Sequence, residues 1–196
     1  MTYTPRLTAP TSSDLRWIQV NSGGYNQCIY GSDGPPSVLP NCTGYVHGRW
    51  MEIGNLTTDN MGLSFSDAKQ YYSQSDSSLV RNSEPSLGAV VCYDSTSSSN
   101  PYGHVSIVEE IIDSNTIRVS QSDYGISYFG TYILYRQYGW LSSQYDTGLV
   151  FQGFIECPYV EPEPPTPVGG SGMSLIKKWW CVNNLRGNIV IGGRRR

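Results

Sequence analysis

Two residue types in this 196-residue chain can combine for nucleophilic chemistry: five cysteines (Cys28, Cys42, Cys92, Cys157 and Cys181) and two histidines (His47 and His104). A thiolate attacks an electron-poor carbonyl, and an imidazole moves the protons that such an attack requires. An odd count of cysteines leaves at least one thiol outside any disulfide within the chain. There is no C-x-x-C, and the histidines lie far apart in sequence, so a zinc site is not expected. No cofactor is expected either.

A catalytic cysteine needs an element that stabilises its thiolate, and the start of a helix does so with free N–H groups and the macrodipole. Cys42, Tyr45, Val46, Arg49, Trp50 and Ile53 recur at i, i+3, i+4, i+7, i+8 and i+11, on one helical face. Asn41 is a good N-cap for this helix, and Gly54 offers a stop. Cys42 therefore opens a helix behind a loop, and two readings remain: an activated nucleophile or a small buried hydrophobe. Cys92, within Ala89-Val-Val-Cys-Tyr93, reads as strand core, and Cys157 closes the last strand. Cys181 follows Trp179-Trp180 near the C-terminus. Cys28 is the competitor to Cys42, but its Gly-rich loop has no helix behind it.

His47 lies five residues beyond Cys42, roughly 140° around the helix at about 100° per residue, so it is expected on the surface, away from the thiol. His104 opens an apolar strand just after Pro101-Tyr-Gly103 and is the better base. A base of this kind is usually oriented by a further polar group. Gln121 and Asp123, two apart at the end of the next strand, share one face of an extended chain. Either can serve, with charge in the case of Asp123 and without it in the case of Gln121.

The elements that hold these residues follow from periodicity and turn chemistry. Residues 1–40, rich in Gly, Pro, Ser and Asn, read as loops and short extended pieces. A second helix is expected over residues 66–74, capped by Ser66-Asp67. Strands are expected at 88–93, 104–112, 116–121, 131–136 and 149–155. Helices first and an antiparallel meander afterwards indicate an α+β domain, with the helices on one face of the sheet. The domain spans 1–157, a Pro-then-Gly linker 158–172, and a basic tail 173–196.

Charge sharpens that division. The net charge is −3, with 38% hydrophobic and only 15% charged residues. Residues 173–196 carry six Lys and Arg and no acid; without them residues 1–172 hold −9. An acidic body argues against a nucleic-acid partner. The N-terminus lacks the apolar core of a signal peptide, and no segment is apolar over the roughly 18 residues a membrane span needs. A serine hydrolase of the G-x-S-x-G kind is excluded, since that elbow is absent. Glu109 and Glu110 are adjacent on a strand, face opposite ways and make a poor glycosidase pair.

Taken together, these segments resemble the CHAP family, the cysteine- and histidine-dependent amidohydrolase/peptidase domains of phage endolysins, tail-associated lysins and bacterial wall lysins. The resemblance rests on Leu39-Pro-Asn-Cys-Thr-Gly-Tyr-Val-His-Gly-Arg-Trp-Met-Glu-Ile53, Pro85-Ser-Leu-Gly-Ala-Val-Val91, Gly103-His-Val-Ser-Ile-Val-Glu109, Ser120-Gln-Ser-Asp-Tyr124 and Phe151-Gln-Gly-Phe-Ile155. It covers roughly residues 15–157, in the family's order. It implies a papain-like fold, Cys42 as nucleophile, His104 as base, and peptidoglycan as substrate. Where the family commonly shows Glu and then Asn two residues on, this chain has Gln121 and Asp123. Some relatives bind calcium through a D-x-D loop before the nucleophile; none precedes Cys42, so no calcium requirement is expected.

The implied reaction is cleavage of a wall amide or peptide bond, either the N-acetylmuramoyl–L-alanine amide or a bond of the stem or bridge. Tyr45, Trp50, Tyr102, Tyr124 and Tyr128 are candidates to line a substrate groove. Delivery would be by holin-type lysis or within a phage particle. The tail would bind anionic wall polymers or a virion protein, or be a poorly ordered end. The rival reading is a non-catalytic wall-binding or virion module that kept the fold.

Overall fold

The structure, a computed structural model, describes residues 3–10, 18–20, 37–143 and 148–161. The chain divides into two compact units, Met1–Pro162 and Glu163–Arg196, and the described residues all belong to the first. Cys28, Cys181, the basic tail and all but the first residues of the expected linker lie outside the described residues.

Helix α1 (Cys42–Gly54) begins where expected. Asn41 is extended, and its Oδ1 accepts from the Gly44 N–H at 2.9 Å and the Thr43 hydroxyl at 2.6 Å. The stop differs from expectation. Gly54 is the last helical residue, and Asn55 (φ 48°) turns the chain, its N–H bonding back to Glu52 O. Gly54 is needed for another reason: a Cβ there would sit 2.9 Å from Leu56 Cγ and 3.0 Å from Tyr159 Cγ. Tyr159 packs edge-on against Trp50, so the first residues after Cys157 seal the core.

The expected helix over 66–74 is shorter and differently capped. A 3-10 turn, Ala68–Gln70, runs into α2 (Tyr71–Gln74), and Asp67 makes no side-chain capping bond. The Ser66 hydroxyl instead donates to Gln74 Oε1 at 2.7 Å.

Two short strands, β1 (Ile18–Val20) and β2 (Ser37–Leu39), pair in parallel. The main sheet has six strands: β3 (Arg81–Asn82), β4 (Val90–Ser95), β5 (His104–Asp113), β6 (Thr116–Asp123), β7 (Ser127–Tyr135) and β8 (Leu149–Ile155). Their order is β3-β8-β4-β5-β6-β7, antiparallel at every pairing. The fold is α+β, with α1 against one face. Val90, Cys92, Val105 and Ile107 meet Tyr45, Val46 and Trp50 in that layer.

The other face is also buried. Val91, Tyr93, Val108, Val119 and Leu134 cluster with Trp140, from the connection between β7 and β8. Burial on both faces explains why these strands read as continuous β-branched runs. Among the described residues, no helix is long and apolar enough to cross a membrane.

Candidate active site

Cys42 is the first residue of α1 and is half-buried. The start of the helix is tied directly to the sheet. The Asn41 N–H donates to Ser122 Oγ at 3.0 Å, and the Tyr45 hydroxyl donates to Ser120 Oγ at 2.7 Å. Ser120 and Ser122 are fully buried and occupy alternate positions of β6, facing the helix. Gln121 and Asp123 therefore point to the other side of the same strand end.

The clamp continues through charge. The Ser120 hydroxyl donates to Glu109 Oε1 at 2.6 Å, and Arg49 of α1 meets both Glu109 oxygens at 2.9 Å. Glu109 is fully buried and also accepts from the Tyr3 hydroxyl and the Arg6 N–H. Burial works against the Arg49 charge, but its bonds to Glu109 outweigh that and raise its pKa further. Burial likewise pushes the Glu52 carboxyl up, and Arg6 and Arg49 outweigh it, holding the group below the usual range. Glu110 stands apart, pairing with Arg118 at a partly exposed position, so the two adjacent glutamates do not form one acid/base pair.

His104 opens β5 immediately after Gly103, and the local backbone demands that glycine. Gly103 has φ +73°, and a Cβ there would clash with the Tyr93 carbonyl and lie 2.8 Å from Lys69 N. The Lys69 N–H donates to Tyr102 O at 2.8 Å, fixing the loop that delivers His104. The imidazole lies nearly parallel to the Tyr93 ring across the β4–β5 pairing, with centroids 6.4 Å apart.

Antiparallel pairing of Ile107 with Ser120 brings the end of β6 alongside the start of β5. His104, Gln121 and Asp123 accordingly line one cavity of about 170 Å³. Within it, Gln121 Nε2 donates to Asp123 Oδ1 at 2.9 Å. Three of the four candidate residues thus share a cavity. Cys42 is not among its lining residues; it stands at the helix terminus anchored to Ser122, the residue between Gln121 and Asp123.

His47 corrects an expectation. It is fully buried, with Nδ1 2.7 Å from Asp59 Oδ2, Nε2 3.0 Å from Ser64 O, and its ring stacked on Phe65. The helical angle correctly turns it away from Cys42, but the segment carrying Asp59, Ser64 and Phe65 covers that side of α1. Tyr45 and Trp50 are also fully buried core residues and line no groove, whereas Tyr102, Tyr124 and Tyr128 are exposed. Cys92 is strand core as expected, and burial pushes its thiol far up. Burial pushes the Cys157 thiol up to about 12.

Sequence reasoning missed the Arg49–Glu109 pair, although a signal was present. A charged residue on the apolar stripe of α1 and another inside the apolar run of β5 can both be buried only together.

Comparison with known proteins gives a family and a distant structural likeness. No curated protein matches the chain. Among solved structures it is similar to an N-acetylmuramoyl-L-alanine amidase from Staphylococcus aureus at 18% identity and a TM-score of 0.38, over 66% of this chain and 34% of that one. This chain therefore corresponds to about a third of that protein's length. The CHAP domain family model matches residues 21–123, more than half of the chain. Since that span takes in α1 with Cys42, β5 from His104 to Asp113, and β6 as far as Asp123, the chain belongs to the CHAP domain family.

Proposed function

We propose that the protein is a peptidoglycan hydrolase that cleaves an amide or peptide bond of the bacterial wall through Cys42 and His104. One observation carries this reading. The helix start bearing Cys42 is bonded to Ser122, and the residues flanking Ser122 share a cavity with His104. Family membership supports the same chemistry.

In this reaction His104 takes the Cys42 proton, and the thiolate attacks the substrate carbonyl carbon. Negative charge develops on the carbonyl oxygen, where the positive end of the α1 dipole and the N–H groups at the helix start are suited to receive it. The C–N bond breaks as the imidazolium gives its proton to the departing amine, leaving a thioester on Cys42. Water, deprotonated by His104, then attacks the thioester; a carboxyl product leaves and the thiol is restored.

Gln121 and Asp123 act here as a unit. The amide of Gln121 holds the Asp123 carboxylate, and that carboxylate supplies the negative charge that favours an imidazolium at His104. The acid thus stands two residues beyond the family's usual position. Exposed Tyr102, Tyr124 and Tyr128 flank the same end of the sheet and offer rings to an incoming wall polymer.

The test is chemical analysis of purified peptidoglycan after incubation with the protein. New amino termini should appear in proportion to enzyme and time, and labelling them would name the bond. An N-terminal alanine with free muramoyl carboxyl identifies amidase action; any other terminus identifies an endopeptidase. Retention on the wall with no new termini would contradict catalysis and favour a binding module.

A further inference from the structure

Gly130 sits in the interior of β7, where a glycine weakens a strand and often marks a close approach by another group. Its backbone does not require glycine, since its φ lies outside the left-handed region. Space does. A Cβ at Gly130 would lie 2.7 Å from Cε2 and 3.1 Å from Oη of Tyr132. The Tyr132 ring therefore lies down along its own strand, over the bare backbone of Gly130. Gly130 pairs directly with Gln121 across the β6–β7 ladder, so the ring is laid beside Gln121.

Tyr132 lines the same cavity as His104, Gln121 and Asp123, yet 41% of its surface remains exposed. An aromatic face that is both fixed and open, beside polar groups that converge on one small space, is the arrangement of a ligand platform. The size of the space limits what it takes. At about 170 Å³ it is smaller than the roughly 300–1,000 Å³ of sites that enclose a drug-sized ligand. It suits one amino-acid residue and is too small for a disaccharide. Its walls are polar at Gln121 and Asp123 and apolar at Leu134 and Leu141. That combination matches a short side chain flanked by peptide groups.

We infer that Tyr132, held flat by Gly130, is a specificity-determining residue that seats a stem-peptide residue in the cavity beside His104. This inference rests on the hydrolase reading and assigns the peptide, not the glycan, to the cavity. The ring acts by stacking on the peptide unit, so the hydroxyl is dispensable. A merely structural cover over a strand glycine would alter stability and leave substrate affinity unchanged.

The experiment compares wild type with Tyr132→Phe, Tyr132→Ala and Gly130→Ala, measuring kcat, KM and Tm on soluble peptidoglycan fragments. Tyr132→Ala should raise KM about tenfold, the scale of one lost aromatic contact, while kcat stays within about twofold. Tyr132→Phe should keep the wild-type KM. Gly130→Ala should raise KM as well, because the new methyl lifts the ring into the cavity. An unchanged KM in Tyr132→Ala, or a fall in Tm with no change in KM, would overturn the assignment. Absence of turnover in wild type would instead overturn the hydrolase reading. Calorimetric binding of a free stem peptide then decides the role of Tyr132. Weaker binding by Tyr132→Ala supports it, and equal binding, or none to either protein, overturns it.

Discussion

The backbone N–H of Asn41 donates to Ser122 Oγ at 3.0 Å across 81 residues of sequence, and this bond ties the start of the helix that carries Cys42 to the end of β6. Asn41 also caps the helix that starts with Cys42, while Ser122 separates Gln121 from Asp123. The cap and the anchor are therefore one residue. Replacing Asn41 with Ala removes the side-chain acceptor for two donors and should lower stability by about 1 kcal/mol. Thermal unfolding measures that loss. Turnover should fall by more than stability accounts for, because the thiol then sits on a frayed turn. An unchanged Tm and rate would contradict the coupling.

The two histidines should separate cleanly. Substituting His47 with Gln strands the buried Asp59 carboxylate and should cost about 1–3 kcal/mol of stability. The folded fraction should keep its kcat. Substituting His104 with Ala should leave Tm nearly unchanged and reduce turnover by roughly a hundredfold or more. Parallel melting curves and rate measurements check both, and the reverse pattern would place the base at His47.

Glu109 should prove structural despite its buried carboxylate. Glu109→Gln removes the fully buried countercharge of the Arg49 guanidinium and leaves it the less buried Glu52 carboxylate at 2.7 Å, at a cost of about 3 kcal/mol. Urea unfolding should show that drop, with the slope of the transition preserved. Loss of activity without loss of stability would instead make Glu109 a participant in the chemistry.

Stability should also decline on the alkaline side. Burial raises the thiols of Cys92 and Cys157, the latter to about 12, and burial together with the Glu109 charge raises the hydroxyls of Tyr3 and Tyr45. All four must stay protonated in the fold, whereas an unfolded cysteine releases its proton near pH ~8.5 and a tyrosine near ~10. Above pH ~8.5 the native state binds more protons than the unfolded one, so stability falls with rising pH. It should be level with respect to these groups below that point and decrease from pH ~8.5 toward 12. Urea midpoints at pH 7, 9 and 10 measure it; a midpoint constant to pH 10 would contradict the assignment.

Much of this arrangement is legible in the sequence, and the gaps have physical causes. Asn41 announces the start of α1 because its side chain can satisfy free N–H groups locally, without tertiary information. The expected strand 149–155 coincides with β8, and Gln121 and Asp123 do share a cavity, since strand periodicity alone sets which side chains share a face. His47 was expected at the surface because helical angle describes one element, and a covering loop answers to no periodicity. The end of α1 moved to Asn55 for a similar reason: Gly54 serves the packing of Tyr159, a contact from the far end of the domain. The second face of the sheet was hidden too. Only the fold brings Trp140 back over Val91 and Val119.

Turnover of purified peptidoglycan by wild type, Cys42→Ala and Cys28→Ala tests the central claim most directly, read as release of new amino termini. Cys28 is the competing thiol of the N-terminal region, so it is the proper control. The account predicts that Cys42→Ala abolishes release while Cys28→Ala retains it. Continued release by Cys42→Ala, at a rate comparable to wild type, would contradict it.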